Sequence, residues 1–182
     1  MRKPTPTVER ATELSDSDLE DLCEATDMAI LEGGGFGWLE PPARDRLKIY
    51  WRGVMLVPER SLFLARLDGT VCGSAQLVRQ PRNNEAQRHA VTLQHSFVTP
   101  WARGHGLARM LIAAVESAAR AEQYKVLNLD VRETQLPAIK LYENMGYIHW
   151  GTHPRYARVQ GRDVAGLYFY KDIGRKKKDS EE

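Results

Sequence analysis

The sequence predicts a mixed α/β fold in which a central sheet is covered by helices. Strand-like and helical runs follow in the order β-α-α-β-β-β-α-β-α-β-β, which is not the regular alternation of a doubly wound fold. The chain has 182 residues, of which 42% are hydrophobic, so it can bury a core without disulfide or metal staples. We find no internal repeat and expect one domain at 7–173 between flexible tails at 1–6 and 174–182.

Helix caps and prolines define the N-terminal elements. A short strand at 8–11 precedes a helix that either Ser15 or Asp16 caps. The glycines that start at Gly33 terminate this helix, since ordering them costs too much backbone entropy. Pro41-Pro42 then begins a second helix.

A change of hydrophobic period marks the central strands. Apolar runs at 62–67 and 71–78 flank Asp68-Gly69-Thr70, which predicts a hairpin because glycine accepts the positive φ that such a turn needs. A polar loop at 81–88 leads to a third strand at 89–99. The remaining elements are a helix from 107 to about 122, a strand at 126–131, a short helix between Pro137 and Gly146, and a hairpin of 147–158 and 164–171 that turns near Gln160-Gly161.

Charge and cysteine content exclude several classes of protein. Lys+Arg at 26 against Asp+Glu at 24 gives a net charge of +2, which favours no nucleic-acid partner, and the basic run 175–178 is partly neutralised by the acidic residues after it. Cys23 and Cys72 lie in apolar patterns without metal-ligand spacing, so we expect neither a metal site nor a cysteine nucleophile. No run approaches the roughly 20 apolar residues of a membrane span. We therefore expect a cytoplasmic protein with reduced thiols.

A segment suited to anions lies between the third strand and the helix that follows it. It reads Arg103-Gly104-His105-Gly106-Leu107-Ala108. The first amides of a helix have no intrahelical partner and the helix dipole is positive there, which favours an anion. The glycines permit close approach, although the same pattern fits a simple tight turn into a helix.

Two common phosphate-binding motifs do not fit this segment. The dinucleotide fingerprint needs a third small residue where Arg109 stands. The nucleoside-triphosphate loop ends in Gly-Lys-Ser/Thr, where this chain has Gly106-Leu107-Ala108. A nucleotide-binding protein of another class is therefore disfavoured.

The same segment carries a resemblance to a known family. Arg103, Gly106 and Ala108 match the signature RxxGxG/A of the GNAT acyltransferase superfamily. The run 93–100 looks like the fourth strand of that family, and 138–147 is similar to its C-terminal segment AxxLYExxGF. The resemblance covers nearly the whole chain. A patchier likeness, to the tabtoxin-resistance type of small-molecule acetyltransferase, rests on the stretches that begin at Gly33, Gly73 and Ala102.

The resemblance implies a fold and an activity. The fold is a mixed, mostly antiparallel sheet of about seven strands with about four helices, splayed between strands 4 and 5. The activity is transfer of the acetyl group of acetyl-CoA to a primary amine, by direct attack in a ternary complex without metal or acyl-enzyme. The expected acceptor is a small-molecule amine, although the family also acetylates protein termini and the sequence does not identify the acceptor. The oligomeric state stays open between monomer and homodimer.

The resemblance also implies roles for individual residues. Main-chain groups of Phe97 and Val98 would pair with the pantetheine arm, and Tyr142 would protonate the departing thiolate, although its position also fits core packing. Gln135, also expected to contact the cofactor, stands where the family often has an asparagine; it keeps an amide but changes its reach. The backbone amides expected to hold the pyrophosphate are those of Arg103, Gly104, His105, Gly106, Leu107 and Ala108.

The position of a general base departs from the family pattern. Thr92 and Gln94 stand where several members carry a glutamate or histidine, and neither side chain takes a proton at neutral pH. Strand alternation points His95 to the opposite face unless a bulge begins early. A water chain or an amine that arrives neutral is the alternative, and a non-catalytic acyl-CoA-binding or sensing module of the same fold is the rival function.

The acceptor side is expected to involve the loop that carries Phe36 and Trp38, together with Thr92 and Gln94 on the fourth strand. The two aromatic rings either anchor the loop to the core or form a lid that closes over the acceptor. The sequence leaves these two alternatives open.

Overall fold

A computed structural model describes residues 3–34 and 36–174 of the chain. Met1, Arg2, Gly35 and 175–182, which include the basic run of the expected C-terminal tail, lie outside the described residues. The strands are β1 (Pro6–Arg10), β2 (Arg60–Leu67), β3 (Thr70–Arg79), β4 (Ala90–Val98), β5 (Val126–Arg132), β6 (Ile148–Val159) and β7 (Arg162–Asp172). The helices are α1 (Asp16–Leu31), α2 (Arg44–Leu56), α3 (Leu107–Ala121) and α4 (Leu136–Asn144).

The order of elements and the strand directions confirm the predicted mixed fold. Antiparallel pairing joins β1 to β2, β2 to β3, β5 to β7 and β6 to β7. The parallel pair is β4 with β5, and it comprises only Ala90↔Val126, Val91↔Leu127 and Thr92↔Asn128. The pairing of strands 4 and 5 is thus confined to the first third of β4, as a splay between them requires.

Contacts between residues divide the chain into two compact units. The first unit comprises residues up to 78 together with 93–115, and the second comprises 79–92 and the residues from 116 onward. Each unit is built from parts of the sequence that lie far apart. The start of β4 belongs to the second unit and the rest to the first, whereas α3 begins in the first unit and ends in the second.

The first unit has a core between α1, α2 and the central strands. Trp51 is fully buried, and its indole N–H donates to the Thr26 hydroxyl over 3.0 Å. Thr26 in turn donates to the Leu22 carbonyl over 2.6 Å, so both polar groups are satisfied inside the apolar core. The apolar residues packed around them include Leu19, Leu22, Cys23, Ile30, Leu47, Val54, Leu62, Leu64 and Val71.

Local signals in the sequence account for the ends of several elements. Ser15 caps α1, because its hydroxyl accepts from the Asp18 amide over 3.1 Å. Asp68 and Gly69 have φ of 51° and 91°, and Gln160 and Gly161 have φ of 48° and 77°. These are the positive values that tight hairpins need, so both predicted turns are confirmed.

The starts of β1 and α2 differ from the expectation. β1 begins at Pro6, where the Asp68 amide donates to the Thr5 carbonyl over 3.1 Å and ties the start of the strand to the hairpin. α2 begins at Arg44 rather than at Pro41-Pro42, because the single carbonyl of Ala43 accepts from the amides of both Arg46 and Leu47.

The second unit has its core on β5 and β7. Leu127, Leu129 and Phe169 are buried there. Glu116 of α3 is also buried, with 4% of its surface exposed, and it pairs with Lys171 at 2.7 Å and Arg120 at 2.9 Å. Two cations around one carboxylate satisfy a charge that would be costly to bury alone.

None of the helices in the described part of the chain has the length and apolar character that crossing a bilayer requires.

Candidate active site

The segment expected to bind an anion is an exposed turn that ends in α3. A 3₁₀ turn at Pro100–Ala102 follows β4, and Gly104 and Gly106 then adopt φ of 83° and 78°. A Cβ on either glycine would meet nothing within 4 Å, so the space beside both is open. The Met110 amide donates to the Gly106 carbonyl over 3.0 Å, which leaves the amides of 107–109 ahead of the first helical bond. The segment therefore combines open space beside both glycines with helix-start amides that precede the first helical hydrogen bond.

The guanidinium of Arg103 is held in place by an acidic partner. Arg103 pairs with Glu32 at the end of α1, and its Nε donates to the Val98 carbonyl over 3.4 Å. Sequence reasoning missed Glu32, because nothing in the pattern connects residues that are 71 positions apart. Glu32 pairs with Arg103 at the entrance to the turn while the side chain of Arg103 stays more than half exposed.

The end of β4 is held against β3 and the turn. The Thr99 amide donates to the Cys72 carbonyl over 2.8 Å. Gly73 lies directly against the main chain of Phe97 and Val98, since a Cβ there would stand 2.4 Å from the Phe97 carbonyl oxygen. Val98 is buried and Phe97 is half-buried. The main chain expected to meet pantetheine is thus positioned by a close approach that only glycine permits.

β4 departs from regular strand geometry at His95. The φ of His95 is 49°, within the left-handed region that is uncommon for residues other than glycine. Thr92 remains in register with Asn128 of β5, and Gln94 is half-buried. Because the reversal of φ breaks the strand alternation at this residue, His95 need not share the orientation that a regular strand imposes.

Phe36 is the centre of an aromatic cluster in the first unit. It is buried, with 4% of its surface exposed, and its ring stacks on His95 at 5.1 Å. Trp38 is half-buried and stacks on Phe36 at 6.0 Å. The other rings within contact of Phe36 are Tyr50, Trp51 and Phe97. Phe36 thus occupies the position of an anchor in the core.

A chain of polar side chains enters this cluster from β2. Arg60 donates to the Gln76 amide oxygen over 2.5 Å, and the Gln76 amide nitrogen donates to the Tyr50 hydroxyl over 3.2 Å. The Tyr50 hydroxyl lies 3.5 Å from Nδ1 of His95. Burial raises the pKa of Tyr50 above its usual range. Sequence reasoning missed Tyr50 and Gln76, because a tyrosine on a helical stripe and a glutamine in a strand carry no distinguishing signal.

Tyr142 and Gln135 lie in the second unit, at the two ends of α4. Tyr142 is 6% exposed, and its ring contacts those of Tyr147 at 5.8 Å and Phe169 at 6.2 Å. The Gln135 carbonyl accepts from the amides of Ala138 and Ile139, each at 3.0 Å, and so anchors the first turn of α4. Both the packing role and the catalytic role of Tyr142 are compatible with this position.

Tyr147 forms a second buried phenol beside Tyr142. It is 4% exposed, and Lys171 lies over its ring at 5.2 Å. Burial first, and then the Glu116 carboxylate, raise the pKa of Tyr147 far above its usual range. Tyr147 therefore stays protonated and neutral next to the Tyr142 ring.

Neither cysteine has the surroundings of a nucleophile. Cys23 and Cys72 are both buried and unpaired. Burial raises the pKa of both thiols, to about 11 for Cys72, whose Sγ also lies 3.5 Å from the Ala65 carbonyl. Within 3–34 and 36–174, no cluster of His, Cys, Asp or Glu could hold a metal ion.

Comparison with known proteins identifies the family. Residues 21–147 match the acetyltransferase (GNAT) family. An uncharacterised N-acetyltransferase encoded in the hisH-hisA intergenic region of Azospirillum brasilense is 64% identical over 129 residues, which are 71% of this chain and 77% of that protein. The chain therefore belongs to the GNAT family, and it is an acetyltransferase.

Solved structures share the fold. An N-acetyltransferase from Staphylococcus aureus Mu50 superimposes with a TM-score of 0.79 at 20% identity, covering 93% of this chain and 99% of that chain. A phosphinothricin acetyltransferase from Sinorhizobium meliloti, solved in complex with acetyl-CoA, gives a TM-score of 0.77 at 20% identity, over 93% of this chain and 89% of that one. At this level of identity the likeness concerns the fold.

Proposed function

We propose that the protein transfers the acetyl group of acetyl-CoA to the primary amine of a small molecule, by direct attack in a ternary complex. The observation that carries this proposal is the open turn of Gly104 and Gly106 at the start of α3. Membership of the GNAT family and the acetyl-CoA complex of a protein with the same fold support it.

The turn fits the pyrophosphate of acetyl-CoA. The residues proposed to hold it with their amides are Arg103, Gly104, His105, Gly106, Leu107 and Ala108. Both glycines have positive φ with open space where a side chain would stand, so phosphate oxygens can approach the backbone. The positive end of the α3 dipole adds favourable charge, and the guanidinium of Arg103, which pairs with Glu32, has further N–H groups that can donate to phosphate oxygens.

The main chain of Phe97 and Val98 is proposed to hold the pantetheine arm. Parallel pairing of β4 with β5 stops after Thr92, so the later residues of β4 are outside that ladder. Main-chain groups beyond the end of a ladder can pair with an extended ligand as a strand would. Gly73 keeps this part of β4 in place.

Tyr142 is proposed to act as the general acid. Because a phenol with a pKa near 10 is a weaker acid than a thiol with a pKa near 8.5, full proton transfer to the departing thiolate is slightly unfavourable in water. A hydrogen bond from the phenol to the developing negative charge still lowers the barrier. The contacts of its ring with Tyr147 and Phe169 fix the side chain, which a proton donor needs. Bound acetyl-CoA supplies the activated acyl group, and Gln135 contributes by anchoring the turn that begins α4.

The amine acceptor is proposed to bind near the aromatic cluster and β4. Trp38 is half-buried and offers apolar surface, while Phe36 supports it from the core. Thr92 and Gln94 provide a hydroxyl and an amide on β4 that can hydrogen-bond an amine but cannot remove its proton. This lack of a carboxylate is the observation that favours the second candidate, an acyl-CoA-binding or sensing module without catalysis.

The experiment that tests the proposal measures CoA thiol released from acetyl-CoA by the purified protein with a panel of primary amines. We expect release that depends on both the protein and the amine, and thermal stabilisation by CoA that exceeds that by ATP or NAD. Stabilisation by CoA without release for any amine would favour the binding module. Stronger stabilisation by ATP or NAD would contradict both.

A further inference from the structure

The chain of hydrogen bonds that joins Arg60 to His95 has a defined direction. A guanidinium can only donate, so its 2.5 Å contact identifies the Gln76 atom it meets as the amide oxygen. The Gln76 nitrogen therefore faces Tyr50 and donates to the phenol oxygen over 3.2 Å. The Tyr50 hydroxyl lies 3.5 Å from Nδ1 of His95 and can donate its proton to that atom, which continues the same direction.

The donor in this last contact determines the state of the imidazole. If Tyr50 donates to Nδ1, the neutral ring of His95 carries its proton on Nε2. The contact of 3.5 Å is at the outer limit of a hydrogen bond, and catalytic hydrogen bonds are often this long before the substrate binds. In this arrangement Nδ1 is the basic atom of the ring, and the Tyr50 hydroxyl is the group that can pass a proton to it.

Burying the side-chain amide of Gln76 in this hydrogen-bond chain costs free energy unless both of its ends are hydrogen-bonded. Gln76 has no exposed surface and lies between the buried apolar residues Ala75 and Leu77 of β3. An apolar residue would fill this position without needing partners, whereas a buried amide must be satisfied at both ends. Arg60 and Tyr50 satisfy it.

His95 is itself held in an unusual backbone conformation. Its φ is 49°, and the Phe36 ring stacks on the imidazole with 21° between the planes. Backbone strain of this kind persists where the surrounding structure enforces it, and it is common at functional sites. In this conformation, with the imidazole stacked on Phe36, Nδ1 lies 3.5 Å from the Tyr50 hydroxyl.

We propose that Tyr50 and His95 together take the proton from the amine acceptor. Tyr50 Oη accepts a proton from the acceptor ammonium while its own hydroxyl proton moves to His95 Nδ1. The products are a neutral amine, a neutral tyrosine and an imidazolium, so charge and protons balance. This inference rests on the proposed acetyl transfer, and it supplies the base that Thr92 and Gln94 cannot provide.

The groups around the pair suit a relay. The rings of Phe36, Trp38 and Trp51 pack on Tyr50, Phe36 also packs on His95, and these rings are neutral. Beyond them, Gln76 is neutral, and Arg60 is the cation at the far end of the chain. The raised pKa of Tyr50 disfavours a phenolate, so Tyr50 passes a proton on rather than holding the negative charge.

A first experiment tests the hydrogen-bond chain without reference to catalysis. Nitrogen-15 NMR of the imidazole side chains, with the five histidines assigned by substitution, reports the tautomer of His95. We expect the Nε2–H tautomer in the wild type and loss of this preference in Tyr50→Phe and in Gln76→Leu. A His95 that carries its proton on Nδ1, or a tautomer unaffected by both substitutions, would contradict the inferred direction of the hydrogen-bond chain and overturn the proposal.

A second experiment tests the role of the chain in the reaction. We expect His95→Gln and Tyr50→Phe each to lower kcat/KM for the acceptor by about 10²-fold at neutral pH, within the usual contribution of general base catalysis. The deficit should shrink as the pH approaches the pKa of the amine, because a neutral amine needs no base. It should also be smaller for acceptors of lower pKa.

Controls separate this role from folding and from the proposed function. The surface variant His149→Gln should retain wild-type kinetics, and His95→Gln should bind acetyl-CoA normally. The double variant should be no slower than the slower single variant, because the two residues act on one path. A deficit that is independent of pH and of amine pKa would overturn the relay while leaving acetyl transfer intact. An inactive wild type would instead overturn the proposed function, and with it this role.

Discussion

Gly73 and Phe97 approach each other so closely that no side chain fits between their backbones. A Cβ built on Gly73 would stand 2.4 Å from the Phe97 carbonyl oxygen and 3.1 Å from the Val98 Cα. Both obstacles are main-chain atoms of β4, so a rotamer change cannot relieve the overlap. Position 73 therefore determines where the end of β4 lies.

Replacing Gly73 by alanine should displace this part of β4. We expect Gly73→Ala to weaken acetyl-CoA binding at least about 10-fold and to lower stability by about 1–3 kcal/mol, the usual cost of overpacking. Calorimetry and thermal melting measure the two effects. Gly53→Ala is the matched control, because a Cβ there meets nothing within 4 Å and the site lies in α2, where alanine is favoured. Normal affinity in a folded Gly73→Ala variant would contradict the role of this contact.

Gly106→Glu should abolish acetyl-CoA binding, because a carboxylate beside the turn repels the pyrophosphate. The φ of Gly106 is 78°, so any side chain also introduces backbone strain of about 1–2 kcal/mol. Gly106→Ala carries the strain without the charge and is the control. Calorimetry should show that the alanine variant keeps most of the affinity that the glutamate variant loses. Equal affinities for the two would show that the phosphates bind elsewhere.

Tyr142→Phe should lower kcat roughly 10- to 1000-fold with little change in acetyl-CoA affinity, because general acid catalysis typically contributes about 10²–10⁴ and water can substitute in part. The phenylalanine ring can keep the contacts with Tyr147 and Phe169, so the melting temperature should change little. Steady-state kinetics with a good acceptor provide the measurement. Wild-type turnover in the variant would assign Tyr142 to packing alone.

Phe36 and Trp38 should respond differently to truncation, because the first is buried and the second is half-buried. We expect Phe36→Ala to cost about 3–5 kcal/mol of stability, as for other buried aromatic residues. Trp38→Ala should cost less and should raise the KM for the acceptor without affecting acetyl-CoA affinity. Unchanged acceptor kinetics in a folded Trp38→Ala variant would place acceptor recognition in another part of the chain.

Asp18 should make stability sensitive to acid. Its hydrogen bond with Arg66, at 2.6 Å, holds the pKa of Asp18 below its usual range. A lowered pKa in the folded state means that the pair stabilises the protein above the unfolded pKa of about 3.9, and that this contribution is lost as the pH falls through the folded value. Denaturant unfolding at pH 6 and pH 3 should therefore show a smaller loss of stability for Asp18→Asn than for the wild type. An equal loss would show that the pair contributes nothing to acid sensitivity.

The secondary structure could be predicted where local chemistry determines it. The Ser15 hydroxyl caps the N-terminus of α1. The Asp68-Gly69 and Gln160-Gly161 turns require residues that tolerate positive φ. These signals act within a few residues, so they can be read from the sequence without knowledge of the fold. The turn of Gly104 and Gly106 before α3 could likewise be predicted, because it also needs residues that tolerate positive φ.

The candidate site could be predicted only in part, because its supporting contacts are distant in sequence. The pairing of Arg103 with Glu32 and of Tyr50 with Gln76 depends on how α1, α2 and β3 pack, which no local pattern encodes. The sequence could not predict the φ of 49° at His95, since a histidine in a strand-like run does not indicate a left-handed conformation. A glycine at this position would have indicated one.

The burial of Cys23 and Cys72 has a practical consequence for measuring the reaction. Both thiols are inaccessible and have raised pKa values, so a thiol-selective chromogenic reagent added to the folded protein should react with them slowly. Free coenzyme, an exposed thiol with a pKa near 8.5, should react at once. Coenzyme release can then be recorded continuously even when enzyme and acetyl donor are equimolar, which makes single-turnover measurements accessible. The same reagent, in the absence of the coenzyme, reports unfolding through the delayed appearance of the two protein thiols.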